Sequence, residues 1–213
     1  MKVIDCDQGS DTWRQARCGS LGASVLHEVT ARTKSGLSAS RANRMATLLV
    51  ERLTGVPQDV YQNAAMLHGI ETEPEARDAY CFYRDVEVQQ IGLVLHPALS
   101  GTHASPDGLV GEDGLLEIKC PQPAAHLSVL LGEPIPQKYM IQIQWQMTCT
   151  GRNWTDFVSY SPVFPERMKL HVQRVQRDNE LIATLEKDAA AFLNELDEKV
   201  AALRTKYDMA EAA

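Results

Sequence analysis

The chain has no apolar run approaching the roughly 20 residues of a membrane-spanning helix. Its opening, Met1-Lys2-Val3-Ile4-Asp5, lacks the marks of a signal peptide, so a soluble, cytoplasmic protein with no membrane partner is expected. There is no Cys-x-x-Cys pair. The five cysteines, Cys6, Cys18, Cys81, Cys120 and Cys149, are odd in number, which argues for reduced thiols and against structural zinc. No linker or low-complexity stretch divides the 213 residues, and a hydrophobic fraction of 44% is ordinary for a chain that buries a sizeable core. A single domain over 1–213 is expected. Positive charge is also in short supply: 28 Asp and Glu against 21 Lys and Arg give a formal net charge of −7, which excludes a uniformly basic surface. The charges are segregated, however. Arg14, Arg17, Arg32, Lys34, Arg41, Arg44 and Arg52 fall in the first quarter, and acids crowd the region from Asp178 to Glu211.

Periodicity predicts a short helix over Ser20–Thr30, a break at Ser35-Gly36, and a helix from about Ala39 to Leu53 with Ser38 or Ser40 as cap and Gly55 with Pro57 after it. A helical region over Asn63–Tyr83 contains Pro74, which predicts a kink or a fresh start near Thr72. Strands are predicted at Val86–Leu95, Gly101–Val110 and Leu115–Cys120. Helices at Ala124–Leu131 and Lys138–Thr150 follow, then strands at Thr155–Tyr160 and Lys169–Val175. A long helix from near Asn179 carries Leu181, Leu185, Phe192, Leu196, Val200 and Leu203. The fold class is α/β or α+β, with a central mixed sheet of about five strands flanked by helices.

What carries chemistry is Ser105-Pro106-Asp107-Gly108 followed by Gly114-Leu115-Leu116-Glu117-Ile118-Lys119. Read as a hairpin turning at Gly111–Gly114, with strands about 4.8 Å apart and side chains alternating faces, it brings Asp107 and Glu117 to one cation. Glu117 and Lys119 share a face, and Ile118 turns into the core and leaves its carbonyl near the site. Mg²⁺ takes such oxygen ligands. Lys119 then sits where it holds or helps deprotonate a water, or stabilises charge on a phosphorane-like transition state. A Glu-x-Lys on a strand is otherwise a solvated face, but Leu115, Leu116 and Ile118 mark this strand as largely buried, where a charged pair is costly unless paired or metal-bound.

Three other groups draw attention. Glu73, in Glu71-Thr72-Glu73-Pro74-Glu75, reads from pattern alone as one of several acids favouring a helix N-terminus. Gln142, Gln144 and Gln146 interrupt an apolar helix; Gln142 and Gln146 share a face directed either at a cleft or at solvent. Arg17 offers a planar fork suited to phosphate, and Ser24 a small hydroxyl near a helix start.

The Asp-x(9)-Glu-x-Lys pattern resembles the core of the PD-(D/E)XK nuclease superfamily with its restriction-endonuclease-like fold. Ser-Pro-Asp-Gly-Leu with Leu-Glu-Ile-Lys-Cys-Pro is similar to the phage-lambda-type alkaline exonucleases, or viral recombinases, within it. Gln8-Gly9-Ser10-Asp11-Thr12-Trp13, Arg17-x-Gly19-x-x-x-Ala23-Ser24 and Tyr139-Met140-x-Gln142-x-Gln144 extend the likeness in order from about Asp7 to Tyr160.

The resemblance implies a Mg²⁺-dependent exonuclease, with Mn²⁺ able to substitute and two ions per site. It digests one strand of linear double-stranded DNA from 5′-phosphorylated ends, 5′ to 3′, and leaves a 3′ overhang. Asp107, Glu117 and the Ile118 carbonyl would be the metal ligands, Lys119 catalytic, and Glu73 a carboxylate facing the metal through water. Gln142 would orient the water or the scissile phosphate, with Gln144 in a lesser role. Arg17, Ser24 and Ser105 would form a 5′-phosphate pocket. Met66 would stand where the lambda-type enzyme carries a leucine wedge that parts the strands, and Arg32 or Lys34 would meet the DNA path, the arginine and lysine positions being exchanged relative to the family. A homotrimeric ring around DNA and a single-strand annealing recombinase as partner are implied as well, in a phage or prophage protein. The N-terminal helices, about 1–60, would face DNA, ahead of a catalytic core over about 61–175 and a C-terminal helix over about 178–207. Arg41, Arg44 and Arg52 read equally well as the wet faces of helices. Two other readings stay open: a structure-specific or restriction-type endonuclease on the same core, and a non-catalytic DNA-binding module.

Overall fold

The computed structural model describes residues 1–33, 36–58 and 63–208. The chain opens with β1 (Lys2–Ile4), α1 (Asp11–Arg17), β2 (Leu21–Gly22), a 3₁₀ turn (Ala23–Val25) and α2 (Leu26–Thr30). Next come β3 (Arg32–Thr33), β4 (Gly36–Leu37), α3 (Ala39–Thr54), α4 (Ala64–Arg84), β5 (Val88–Gln89), β6 (Leu93–Leu95), β7 (Thr102–Ala104), β8 (Gly108–Val110) and β9 (Gly114–Lys119). The rest is α5 (Pro123–Leu130), α6 (Gln137–Thr150), β10 (Trp154–Tyr160), β11 (Leu170–Gln176) and α7 (Asn179–Lys206). No helix among the described residues is long and apolar enough to cross a membrane.

The expected mixed central sheet is present, with five strands in the order β11-β10-β9-β8-β5. β9 and β10 run parallel and the other neighbours antiparallel. The parallel pair requires a crossover, which α5 and α6 supply. α4 covers one face through Ala76 and Tyr80 against Leu116, Ile118 and Val158. α6 covers the other through Ile143 and Met147 against Leu115 and Phe157. Its opposite side packs Ile141 and Trp145 into a second core with Leu21, Leu26, Leu48, Phe192 and Leu196. Serving two cores at once buries α6 from Ile141 through Thr150, glutamines included.

A second sheet, β1-β6-β7-β2, was not foreseen, and it corrects two predicted strands. Val86–Leu95 is two strands, because β5 joins the five-stranded sheet and β6 the four-stranded one. Between them Gly92 passes so close to β1 that a Cβ there would lie 2.5 Å from the Cys6 carbonyl and 2.6 Å from that of Ile4. Gly101–Val110 likewise divides into β7 and β8 at Ser105-Pro106-Asp107. Pro106 has no N–H to give a ladder, and the chain changes sheets there, so Ser105 and Asp107 stand at the junction. The predicted helix Ser20–Thr30 begins instead with β2, which pairs parallel with β7, and the 3₁₀ turn. Nor does a helix start near Thr72: α4 runs through Pro74 from Ala64 to Arg84. Ser38 is the cap of α3, accepting from the Arg41 N–H at 3.3 Å, and Gly55 ends that helix at φ +69°.

The segregated charges meet across the fold. Arg32 pairs with Asp188 at 3.0 Å, Arg41 with Glu195 at 2.7 Å and Arg52 with Asp197, all carboxylates of α7. Arg44 grips Glu28 of α2 through two hydrogen bonds of 3.0 and 3.1 Å. Arg41, Arg44 and Arg52 are therefore partly buried clips and not the wet faces of helices.

Asp156 of β10 is the fully buried counterpart. It accepts from Tyr80 Oη at 2.8 Å, from Arg84 at 3.3 Å and from Arg174 at 2.8 and 2.9 Å, and Arg174 stacks on Trp154. Burial alone would raise the Asp156 pKa, but the hydrogen bonds from Arg174 and Tyr80 outweigh it and hold the carboxyl below its ordinary value. Asp156→Ala is expected to cost about 3–5 kcal/mol in urea unfolding, since it leaves its partners without an acceptor. The folded carboxyl binds its proton less readily than the unfolded one. Its stabilisation is therefore present above the unfolded value of about 3.9 and lost as pH falls below it, so the native-minus-variant difference should shrink in acid.

Candidate active site

The β8–β9 hairpin forms as the residues predicted, with Gly108 opposite Leu116, Leu109 opposite Leu115 and Val110 opposite Gly114. Asp107 precedes Gly108 and Glu117 follows Leu116, so the register sets the two carboxylates side by side. Asp107 Oδ2 accepts from the Ile118 N–H at 2.6 Å. Ile118 itself points to the α4 core.

Glu117 has no solvent exposure. Its Oε1 accepts from Gln142 Nε2 at 2.7 Å and meets Lys119 Nζ at 2.5 Å, and its Oε2 accepts from Gln146 Nε2 at 2.6 Å. The glutamine stripe of α6 thus faces this carboxylate and not solvent. Gln144 points elsewhere: it donates to the Gln176 carbonyl at 2.9 Å and accepts from the Asp178 N–H at 2.8 Å, tying α6 to the start of α7. Gln146 was given no role from sequence, although its spacing from Gln142 was the signal that held it.

The electrostatics are those of crowded acids with one cation. Burial, then Glu117 and Glu73, push the Asp107 carboxyl well above its usual range, against the pull of Lys119 and the Ile118 N–H. Burial would lower the Lys119 pKa, but the Glu117 and Asp107 carboxylates more than reverse it and hold the ammonium charged. Cys120 is pushed up to about 12 by burial and by Glu73 and Asp107, which keeps it a thiol. Glu73 lies in the middle of α4, paired with Arg77, so it is no helix N-terminal acid. Glu75 instead accepts from Tyr160 Oη at 2.6 Å, and Glu71 is exposed.

Among the described residues no three His, Cys, Asp or Glu side chains gather as metal ligands. The oxygens that would hold a cation here are the Asp107 and Glu117 carboxylates, set side by side by the hairpin register, and the Ile118 carbonyl. All are hard oxygens, which suit Mg²⁺ or Mn²⁺ and not zinc, and a cation there would relieve the repulsion that raises Asp107.

A cavity of about 160 Å³ adjoins this centre, lined by Trp13, Arg17, Ser24, His103, Ser105 and Gln142 among others. Gln142 belongs to both, since the side chain that lines the cavity donates to Glu117. Trp13 Nε1 donates to Ser105 Oγ at 3.0 Å and Gln8 Nε2 to the Pro106 and Ile91 carbonyls at 2.9 Å, which pins the sheet-switching segment under α1. The structure therefore brings together Arg17, Ser24, Ser105 and Gln142, and adds Trp13 and His103, which sequence reasoning did not single out as site residues. Arg32 and Met66 do not line the cavity. Arg32 pairs with Asp188, and Met66 is exposed in the first turn of α4 beside Leu67 and Ile70. Lys34 lies outside the described residues.

A family model described as "YqaJ-like viral recombinase domain" matches residues 12–153. Among solved structures, the chain is similar to an alkaline exonuclease, LHK-Exo, from Laribacter hongkongensis, at 44% identity and TM-score 0.86, covering 93% of this chain and 98% of that one. LHK-Exo is also described in complex with dAMP, with the same measures of similarity. A phage-related exonuclease from Haemophilus somnus 129PT shares the fold at 15% identity and TM-score 0.70, over 89% of this chain and 99% of that one. No curated protein matches the chain.

A raised carboxyl pKa makes Asp107 a liability without a cation. The folded state holds the Asp107 proton more tightly than the unfolded state, so stability is lost as pH rises from about 3.9 through the raised folded value. Asp107→Asn keeps an acceptor for the Ile118 N–H and removes the charge. With a chelator present, its thermal midpoint should exceed that of the native protein at neutral pH, and the gap should close near pH 3.5. An equal or lower midpoint at neutral pH would contradict this balance of charges.

Proposed function

The chain belongs to the YqaJ-like viral recombinase domain family, and from that premise we propose that it is a Mg²⁺-dependent 5′-to-3′ exodeoxyribonuclease acting on 5′-phosphorylated ends of linear double-stranded DNA. It releases mononucleotides and leaves a 3′ overhang for single-strand annealing recombination. The observation that carries this reading is the shared Gln142, which puts an arginine- and serine-lined cavity directly beside the Asp107–Glu117 pair. A phosphate anchored in that cavity would present the neighbouring phosphodiester to the carboxylates, which fits removal of one nucleotide at a time. The dAMP complex of a 44% identical exonuclease supports the same product class.

Asp107, Glu117 and the Ile118 carbonyl would hold the Mg²⁺, two ions per site with Mn²⁺ able to substitute; when bound, these supply an activated water and neutralise the leaving 3′-oxygen. Lys119, kept charged by its carboxylate neighbours, donates to the water and to the phosphoryl oxygens as negative charge develops on them. Gln142 orients the scissile phosphate or the water while holding one Glu117 oxygen, and Gln146 holds the other, so the carboxylate cannot turn. Glu73, braced by Arg77, faces the centre through water. Arg17, Ser24 and Ser105 take the terminal phosphate. Met66 with its apolar neighbours parts the strands, and Arg32 or Lys34 lies along the DNA path, Arg32 exchanging Asp188 for phosphate. A second and third copy complete a ring around the duplex, and an annealing recombinase loads on the exposed strand in the cytoplasm of the phage's bacterial host.

Linear duplexes with 5′-phosphate or 5′-hydroxyl ends and a covalently closed circle test this reading. Lys119→Ala should lower turnover roughly 10²–10⁴-fold while leaving DNA binding intact. Arg17→Ala should reduce the phosphate-over-hydroxyl rate ratio about tenfold or more, the size of a charge-assisted contact. Cutting of the circle, or a ratio that Arg17→Ala leaves unchanged, would overturn the end-dependent reading.

A further inference from the structure

Arg17 differs from the other N-terminal arginines in what holds it. Arg14, Arg32, Arg41, Arg44 and Arg52 each meet a carboxylate. Among the described residues Arg17 forms no ion pair. Its guanidinium lies 3.9 Å over Trp13, and its Nε–H donates to His103 Nε2 at 3.2 Å. Glu51, the carboxylate whose field reaches it, is instead bonded to the Gly19 and Gln58 N–H groups at 2.8 and 3.0 Å. No hydrogen bond from the two terminal amino groups of Arg17 to another described residue accompanies these contacts, and they are left to the cavity.

His103 is buried on β7, opposite Gly22 of β2. A Cβ at Gly22 would come within 3.0 Å of His103 Nε2 and 3.6 Å of Arg17 Nη2, so glycine lets this pair close over the strand. An arginine Nε can only donate, which makes His103 Nε2 the acceptor and the ring neutral. Its Nδ1–H then donates to Ser20 Oγ, 2.8 Å away, and the serine fixes the tautomer. Burial and the Arg17 charge both keep the ring neutral, pulling its pKa down to about 3.

We propose that His103 is the positioning residue for Arg17, a neutral acceptor locked by Ser20 that orients the guanidinium into the cavity without cancelling its charge, so that a dianionic terminal phosphate receives both. A carboxylate in its place would hold the fork equally well but neutralise it. The inference rests on the reading of the cavity as the terminal-phosphate site and assigns the residue that makes that site selective.

The test compares kcat/KM for 5′-phosphorylated and 5′-hydroxyl linear duplexes in the native enzyme and in His103→Leu, His103→Gln and His103→Asn, with Arg17→Ala as control and thermal midpoints recorded. Leu offers no acceptor, a Gln amide oxygen reaches the Nε2 position, and an Asn amide reaches only the Nδ1 position. His103→Leu and His103→Asn should lose the phosphate preference about tenfold, mainly through KM for the phosphorylated duplex, and His103→Gln should keep most of it. A role confined to holding the fold would lower both rates together and leave the ratio unchanged. If Arg17→Ala collapses the ratio and His103→Leu does not, or if Gln and Asn behave alike, the inference is wrong and the pocket stands. If Arg17→Ala leaves the ratio unchanged, the pocket reading fails first. Should His103→Leu not fold, the Gln and Asn pair decides.

Discussion

A carboxylate buried from bulk solvent is the constraint on which the site depends. Glu117 is wholly buried, and a charge in that position costs several kcal/mol unless every lone pair is answered. Lys119 and Gln142 answer one oxygen and Gln146 the other. Two of those three donors come from α6, so the helix must lie against the sheet at one height and rotation. That placement sends Ile143 and Met147 into the core beneath the sheet and Trp145 into the core above α2 and α7. The geometry of the carboxylate centre and the packing of both cores are therefore set by one helix.

The same accounting of charge explains how a chain of net charge −7 handles a polyanion. The acids of α7 face the arginines of α3 and β3 and neutralise them pairwise. Individually such half-exposed pairs contribute only ~0–1 kcal/mol, but together they fix where positive charge remains. Among the described arginines of the N-terminal quarter, it remains at Arg17, whose partners are a neutral imidazole and an indole face. On the proposed reading, selectivity for a terminal phosphate would come from a desolvated arginine and not from a broad basic surface.

Much of this was legible in the residues, and the rest was hidden for identifiable reasons. The helices α3, α6 and α7 and the β8–β9 hairpin follow from periodicity and turn residues. Asp107, Glu117 and Lys119 follow from the hairpin's alternation. The second sheet was not legible, because its strands are two or three residues long and two of them continue the polarity pattern of the strands they abut. Only Pro106 and Gly92 mark where the chain changes sheets. Gln142 and Gln146 were placed on one face, but an amphipathic stripe does not say whether it meets water or a buried acid. His103 carried no local signal at all, since its partners Arg17 and Ser20 lie more than eighty residues away.

Calorimetric titration of Mn²⁺ into the native protein and into Asp107→Asn, at neutral pH, is the measurement that bears most directly on the carboxylate centre. Saturable binding by the native protein that disappears in the variant is the result the proposed cation site predicts, in which Asp107, Glu117 and the Ile118 carbonyl would act together. Equal binding by both proteins, or none by the native one, would contradict it.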